Sequence, residues 1–297
     1  MLWTDFVSRW STTLTEAGLD ELVAKAGRMQ PELRGRPPAL IGKGISTIAY
    51  GWTTPDGGWV LRVARDHPQP WTWRGGRAYE VELSQELSRR GVPVPESPTV
   101  VQEVNGLPTA ILERRIVGSP LTAEMARSDP QILAQIANLL DRFHAVDISD
   151  ASAQRIVRDD PTAEFRDALA AVELDSGLRG RVEAAVAVLE ARADRRVLCH
   201  RDFRVEHLIA GDDGSIVGLL DLGEVGIDDP AVDLAFLHGE LGPDAVRRIC
   251  ASMASADDGL AEAGAVLHSL WPLLELAPGG DSWGDPSTAR ARLAALV

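Results

Sequence analysis

The 297-residue sequence has few cysteines and no long apolar segment. Its two cysteines, Cys199 and Cys250, cannot form the disulfide framework that stabilises small secreted domains. No apolar run approaches the roughly 18 residues of a membrane span. Residues 1–5 also lack the basic start and apolar stretch that are typical of a signal peptide. We therefore expect a cytoplasmic protein without a membrane partner.

Basic residues are also scarce, because 30 lysines and arginines stand against 44 acidic residues, a formal net charge of −14. Binding to a nucleic-acid backbone needs a basic face, so a nucleic-acid partner is not expected. An acidic protein attracts cationic small molecules, although the same charge is equally consistent with a role in solubility alone.

The order of apolar patterns predicts an α+β fold with two domains. Two helices are expected within residues 2–30, and strands and one helix are expected after them. The strands are predicted at 39–41, 48–53, 59–64, 99–104 and 109–113, and the helix at 77–90. These elements form a small antiparallel sheet in a first domain, residues 1–116. From residue 121 the apolar spacing becomes helical, which predicts a mainly helical second domain at 117–297.

The chemistry-bearing residues concentrate between residues 197 and 221. A short apolar strand at 197–199 leads into a polar loop that contains His200, Asp202 and His207. Leu208-Ile209-Ala210 and the turn Gly211-Asp212-Asp213-Gly214 follow, and a second apolar strand at 216–220 ends at Asp221. The strands 197–199 and 216–220 are predicted to form a hairpin. We expect Asp202, His207 and Asp221 to lie close together, a layout suited to metal-assisted phosphoryl transfer.

A zinc site is the alternative use of this segment. Cys199, His200, His207 and Asp221 offer four ligands, but their spacing matches no common zinc pattern. We instead expect His200 to brace the loop through hydrogen bonds. His207 is either a second metal ligand, a phosphate contact or a structural histidine.

Each part that phosphoryl transfer requires has a candidate residue. The turn 42–47 is a possible phosphate cover, in which glycine N–H groups, Ser46 and Thr47 donate hydrogen bonds. Arg62, on the third strand, can pair with phosphates, or it can protect a sheet edge from aggregation. Glu80 of the following helix can hold Arg62 in place, with Glu82 as the alternative partner.

The last two parts are carboxylates of the 197–221 segment. Asp202 is the candidate acceptor of the substrate hydroxyl proton, and Asp221 is a hard oxygen ligand that suits Mg²⁺.

Three segments resemble the aminoglycoside phosphotransferase family of kinase-like enzymes. They are HRDFRVEH at 200–207, Leu219-Leu220-Asp221 and DPAVDLA at 229–235. The family pattern is H-G-D-x-x-x-x-N, then I-D-W, then G-D-P-x-x-D-L-A. The resemblance implies a two-lobed protein-kinase-like fold and the use of Mg²⁺ with ATP or GTP.

The resemblance also assigns roles to residues of this chain. It implies that Asp202 is the catalytic base, Asp221 is the main Mg²⁺ ligand and Asp233 supports the catalytic loop. The hinge that meets the nucleotide base would be 113–116, which includes Glu113 and Arg115.

The sequence departs from the family pattern at several positions. His207 replaces the usual Asn as second metal ligand, which is similar to macrolide phosphotransferases and implies macrolide-type substrates and GTP. Imidazole is a poor Mg²⁺ ligand, so two-metal binding is in question. Arg62 stands where the family often has Lys, and it keeps the charge. Arg201 and Leu222 replace the common Gly and Trp.

The spacing after Asp221 bears on the substrate. Seven residues separate Asp221 from Asp229, too few for a protein-kinase activation segment. We therefore expect transfer of the γ-phosphate of ATP or GTP to a hydroxyl of a small, cationic molecule, an aminoglycoside- or macrolide-type antibiotic. The alternatives are a kinase of an amino alcohol or sugar with the same fold, and a nucleotide-binding pseudokinase.

Overall fold

The computed structural model describes residues 16–44, 47–64, 76–104, 107–147, 161–278 and 286–295. Within these residues the chain divides into two compact units that are each discontinuous in sequence. The first comprises residues 16–120 and Leu208–Glu224, and the second comprises residues 121–147, 161–207 and 225–295. The functional division at residue 116, with a nucleotide-binding part before it, stays a prediction.

The first unit contains a five-stranded antiparallel sheet of order β1-β2-β3-β5-β4. The strands are β1 (Ala39–Lys43), β2 (Thr47–Trp52), β3 (Trp59–Ala64), β4 (Thr99–Val104) and β5 (Leu107–Arg114). The antiparallel sheet that the sequence predicts is therefore confirmed, with strand ends that differ by at most two residues. Helix α1 (Glu16–Met29) precedes it, and the part of the 2–30 prediction before residue 16 lies outside the described residues.

Alternation along β3 decides what each face of the sheet carries. Trp59, Leu61 and Val63 are buried in a core that also contains residues of α1. The other face of β3 is half-buried and carries Arg62. The β2–β3 turn ends at Gly58, with φ +123°, where an added Cβ would lie 2.1 Å from the Trp52 carbonyl oxygen. Glycine is required there for both reasons.

Helix α2 (Gly76–Arg89) follows β3 in the chain and matches the predicted helix within one residue. Leu83 and Leu87 are buried, and Glu80 is buried as well. Three short strands complete the first unit: β6 (Ser119–Pro120), β8 (Leu208–Ala210) and β9 (Ile216–Leu219), in the order β6-β8-β9. Strands β8 and β9 form a hairpin around the predicted turn 211–214, and a 3₁₀ turn at Leu222–Glu224 follows it and packs against α2.

The second unit is mainly helical. Its helices are α3 (Ala123–Ser128), α4 (Pro130–His144), α5 (Pro161–Ala171), α6 (Ser176–Glu190), α7 (Ala231–Leu241), α8 (Pro243–Ser252), α9 (Leu260–Leu276) and α10 (Pro286–Ala294). Helix α4 begins at Pro130 with Asp129 as its N-cap and buries one apolar face, as its 3–4 spacing predicts. Breaks at Gly242-Pro243 and near Gly259 separate α7, α8 and α9.

Strand β7 (Val197–Cys199) pairs with β10 (Gly226–Asp228), which the sequence pattern did not reveal. The predicted pairing of 197–199 with 216–220 in one hairpin is wrong, because β7 pairs with β10 and β9 pairs with β8. A three-residue strand carries too few alternating positions to be recognised before its partner is known. Among the described residues, no helix combines the length and apolar character needed to cross a bilayer.

Candidate active site

Arg62 lies at the centre of a cluster of buried charges in the first unit. Its Nε donates to Glu113 Oε1 at 2.8 Å and its Nη2 donates to Glu113 Oε2 at 3.1 Å. Nη2 also forms an ion pair with Glu80. Of the two predicted partners, Glu80 is the one in contact, and Glu82 is exposed on the same helix. Glu113 was expected to lie in the hinge, and its side chain is a second Arg62 partner that sequence reasoning missed.

The surroundings of the cluster favour a charged guanidinium. Burial opposes the charged form of Arg62, but the carboxylates of Glu113 and Glu80 outweigh it and raise the pKa of Arg62. Burial also raises the pKa of Glu113, against the opposing effect of Arg62 and with added effects of Glu80 and Asp221. Nη1 of Arg62 makes no hydrogen bond with the described residues, so its two N–H donors can meet an anion.

The predicted phosphate cover and hinge are described in part. Gly44 N donates to the Thr47 carbonyl oxygen at 2.9 Å, which closes the turn before β2, whereas Ser46 lies outside the described residues. At the other segment, Arg115 N donates to the Gly58 carbonyl oxygen at 3.1 Å, and the Arg115 side chain is exposed. The roles of both segments in nucleotide binding stay predictions.

Asp221 follows β9 in the first unit and has an exposed side chain. Its φ is +60°, a left-handed conformation that Asp adopts more readily than most residues. The next residue, Leu222, is buried and fixes the chain just beyond this turn. An exposed carboxylate on an anchored turn has the hard oxygen atoms that Mg²⁺ prefers, so Asp221 fits the metal that the resemblance implies.

In the second unit, Asp233 of α7 binds the start of the loop that follows β7. Asp233 Oδ1 accepts from Arg201 N at 2.8 Å, and Oδ2 accepts from His200 N at 3.1 Å. His144 Nε2 donates to the same Oδ2 at 2.9 Å, which places this helix-end histidine in a structural role. Arg201 has φ +65°, a strained conformation for a residue with a long side chain, and Asp233 binds its amide directly.

Asp202 and His207 are joined within this loop. His207 Nδ1 donates to the Asp202 carbonyl oxygen at 2.9 Å and lies 3.7 Å from Asp202 Oδ2. Because a carbonyl oxygen only accepts, Nδ1 carries the hydrogen, and the lone pair of the neutral ring lies on Nε2. The Asp202 side chain is 27% exposed, so a substrate can reach it.

The ring of His200 is fully buried and packs against neighbouring rings. Its centroid lies 6.0 Å from that of Phe143 and 5.7 Å from that of Phe203. The His207 ring is 5.9 Å away. The expected bracing by His200 therefore comes from its backbone N–H, which donates to Asp233, and from ring packing.

Cys199 is completely buried at the end of β7. Its thiol donates to the carbonyl oxygens of Asp228 and Asp229, both at 3.5 Å. Burial raises the pKa of the Cys199 thiol well above its ordinary value. The thiolate is the form that binds metals, so these contacts argue against the zinc alternative.

Comparison with known proteins gives the family of this chain. It is 28% identical over 188 residues to viomycin phosphotransferase of Streptomyces vinaceus, a match that covers 60% of this chain and 63% of that enzyme, less than two thirds of its length. The GDP complex of aminoglycoside 2'-phosphotransferase-IIIa has a similar structure, with a TM-score of 0.71, 17% identity and coverage of 91% of this chain and 95% of that one.

A second solved structure is macrolide 2'-phosphotransferase from Brachybacterium faecium, with a TM-score of 0.66, 24% identity and coverage of 93% and 98%. These similarities confirm the predicted α+β, kinase-like fold. The sequence model of the phosphotransferase enzyme family matches residues 38–272, about four fifths of the chain. This chain belongs to the phosphotransferase enzyme family.

Proposed function

We propose that this protein transfers the γ-phosphate of ATP or GTP to a hydroxyl of a small antibiotic of the aminoglycoside or macrolide kind. The observation that carries the proposal is the loop 200–207, in which Asp233 binds two consecutive amides and the side chain of Asp202 stays partly exposed. A carboxylate presented on a rigid loop is what a phosphotransferase needs beside the attacking hydroxyl. Membership of the phosphotransferase enzyme family supports this reading.

Asp202 is the proposed general base. The hydroxyl of the acceptor attacks the γ-phosphorus and gives its proton to a carboxylate oxygen of Asp202. The new bond joins the acceptor oxygen to phosphorus, and the bond from phosphorus to the bridging β-phosphate oxygen breaks. The products are a nucleoside diphosphate and the phosphorylated acceptor.

Arg62 is the proposed partner of the nucleotide phosphates. Glu80 and Glu113 hold its Nε and Nη2, so that Nη1 is the donor that meets phosphate oxygens. Thr47 and Ser46 of the preceding turn are proposed to donate to the same phosphates. The hinge 113–116 is proposed to meet the base.

Asp221 would hold Mg²⁺, which neutralises developing charge on the transferred phosphoryl group when it is bound. Its exposed carboxylate suits the ion, whereas Nε2 of His207 is a softer donor that Mg²⁺ binds weakly. We therefore propose that His207 mainly fixes the Asp202 carbonyl through Nδ1 and contributes less to metal binding.

The acceptor class rests on charge and on the named relatives. The formal net charge of −14 attracts cations, and aminoglycosides carry several ammonium groups. The relatives whose names specify viomycin, aminoglycosides and macrolides support an antibiotic as acceptor. The GDP bound to one of them supports a guanine nucleotide as donor, so both donors belong in the test.

The test is a coupled nucleotide-consumption assay with ATP and with GTP across kanamycin, viomycin, erythromycin and small amino alcohols. Native protein should phosphorylate at least one antibiotic. Asp202→Asn should lower kcat by about 10²- to 10⁴-fold while nucleotide affinity stays within about twofold. The matched control is Asp212→Asn, an exposed aspartate of the 211–214 turn, which should retain native activity.

Transfer to amino alcohols alone would replace the antibiotic acceptor with a metabolite. Nucleotide binding without any transfer would favour a pseudokinase and overturn the proposal. Native activity in Asp202→Asn would remove the assigned base.

A further inference from the structure

Helix α7 carries a second carboxylate on the side that faces the loop 200–207. Glu240 follows Asp233 by seven residues, which is two helical turns and an axial rise of about 10 Å. Residues with this spacing project from the same side of a helix. Glu240 is therefore placed to contact the same loop as Asp233, at a point further along α7.

The contacts agree with this placement. Glu240 Oε2 accepts from Val205 N at 2.7 Å, and Oε1 accepts from Arg204 Nε at 3.1 Å. Asp233 binds the amides of His200 and Arg201 at the opposite end of the loop. The two carboxylates of α7 thus bind the backbone on both sides of Asp202.

The backbone of the loop 200–207 depends on contacts at both ends. Arg201 adopts a left-handed φ, so the backbone just before Asp202 is strained. After Asp202, Arg204 N donates to the Asp202 carbonyl oxygen at 2.9 Å, which ties the position of Asp202 to the residues that Glu240 binds. A carboxylate that accepts a backbone N–H forms a strong, charge-assisted hydrogen bond. Release of Val205 would therefore allow the Asp202 backbone to shift.

We infer that Glu240 is a positioning residue for phosphoryl transfer, which fixes the end of the loop 200–207 so that Asp202 is presented in one orientation. The inference rests on the proposed function, because it concerns the same base. Glu240 acts through the Val205 amide and Arg204 and is not assigned a contact with substrate. Glu240 is thus a residue outside the sequence motifs on which the proposed reaction depends.

The simpler explanation is that Glu240 only neutralises Arg204, and Glu206 provides a control for that effect. Glu206 Oε1 lies 3.2 Å from Arg204 Nε, its side chain is 57% exposed, and it binds the same arginine. The contact of Glu206 with Arg204 does not involve the Val205 amide. Glu206→Gln therefore weakens the charge balance at Arg204 but leaves the backbone support intact.

The experiment compares Glu240→Ala, Glu240→Gln and Glu206→Gln in the full-length protein. Steady-state kinetics with ATP, GTP and the best acceptor of the antibiotic panel give kcat and KM. Hydrogen–deuterium exchange of the peptide that contains residues 201–207 reports directly on the loop. Urea unfolding of each variant verifies that it is folded.

Glu240→Ala should lower kcat about ten- to a hundredfold with KM for nucleotide nearly unchanged, because small misplacement of a catalytic group has effects of this size. Exchange of the 201–207 amides should rise at the same time. Glu240→Gln keeps an oxygen acceptor for Val205 N and should recover much of kcat. Glu206→Gln should match native protein in both measurements.

Native kcat in a folded Glu240→Ala variant, or unchanged amide exchange in 201–207, would overturn the inference and leave the proposed function standing. Equal losses in Glu206→Gln and Glu240→Ala would also overturn it, since charge at Arg204 would then explain both. Native protein that transfers phosphate to no acceptor would overturn the proposed function, and the positioning role with it.

Discussion

Replacement of Arg62 by methionine tests the buried charge cluster of the first unit. Methionine has a similar length and no charge, so the change removes the cation that contacts Glu80 and Glu113. The side chains of these two glutamates are 3% and 7% exposed. Water therefore cannot replace the guanidinium without a rearrangement of the core.

Removal of one partner of a buried ion pair costs about 3–5 kcal/mol. A glutamate can limit this cost by taking up a proton, which at pH 7 costs about 1.36 × (7 − 4.3), or about 3.7 kcal/mol, per carboxyl group. We therefore expect Arg62→Met to lower the free energy of unfolding by about 3–5 kcal/mol at pH 7.

The stability that Arg62→Met loses should be smaller in acid. The folded variant keeps a protonated glutamate, whereas the same glutamate is ionised in the unfolded chain. Between pH 7 and pH 5 the free energy needed to protonate a carboxylate falls by about 2.7 kcal/mol for each group that binds a proton. The native protein has a weaker dependence, because the charge of Arg62 opposes the burial that raises the pKa of Glu113. The difference between native and variant should thus shrink by about 2–3 kcal/mol at pH 5.

Urea unfolding at pH 7 and pH 5, followed by fluorescence, measures this difference, and the buried Trp52 and Trp59 report on the first unit. Arg62→Met/Glu113→Gln should regain part of the loss at pH 7, because one of the two unpaired carboxylates is then neutral. Arg115→Met, at an exposed arginine, is the control. An equal loss at both pH values, or no recovery in the double variant, would refute the reasoning.

Two further predictions concern the pH dependence of the second unit. Burial raises the pKa of Asp228 to about 7 against the opposing charge of Arg201, so ionisation of Asp228 lowers stability as pH rises from about 4 to about 7. Asp228→Asn should therefore gain about 2.7 kcal/mol of stability relative to native protein between pH 5 and pH 8, from 1.36 × (7 − 5), in urea unfolding at each pH. Burial and the neighbouring His238 lower the pKa of His268, so the unfolded chain binds the proton first as pH falls below about 6.5. His268→Gln should lose less stability than native protein between pH 7.5 and pH 5.5 in thermal unfolding.

Each of these predictions has an outcome that contradicts it. If the difference in unfolding free energy between Asp228→Asn and native protein stayed constant from pH 5 to pH 8, Asp228 would be ionised at both pH values. Parallel acid profiles of His268→Gln and native protein would mean that the half-buried ring, whose Nδ1 has no hydrogen-bond partner among the described residues, is not linked to acid unfolding. Asp194→Asn, at an exposed aspartate, is the control for both.

Local patterns predicted much of the fold because they reflect local physical constraints. Alternation along 59–64 indicated both the strand and the face that carries Arg62, since successive side chains of a strand point to opposite faces. The 3–4 spacing from Ile132 to Phe143 indicated α4, whose apolar face is buried. The turn at Gly57-Gly58 was recognisable because residues with positive φ favour glycine.

The partners of charged residues were less predictable. The sequence offered Glu80 and Glu82 as partners of Arg62, and a one-residue error in helix phase would exchange them. Glu113 was found only through the register in which Val60 of β3 faces Glu113 of β5. No local pattern encodes that register, because it depends on the pairing of two strands about fifty residues apart.

The sequence by itself determined the family, the order of helices and strands and the identity of Asp202, Asp221 and Asp233 as the residues to examine. These features depend on contiguous motifs and on short-range periodicity. Only the tertiary structure decided that Glu113 and Glu80 share Arg62, that β10 pairs with β7 and that Glu240 binds the Val205 amide. Each of these contacts joins segments far apart in the chain, where packing and strand register select the partner.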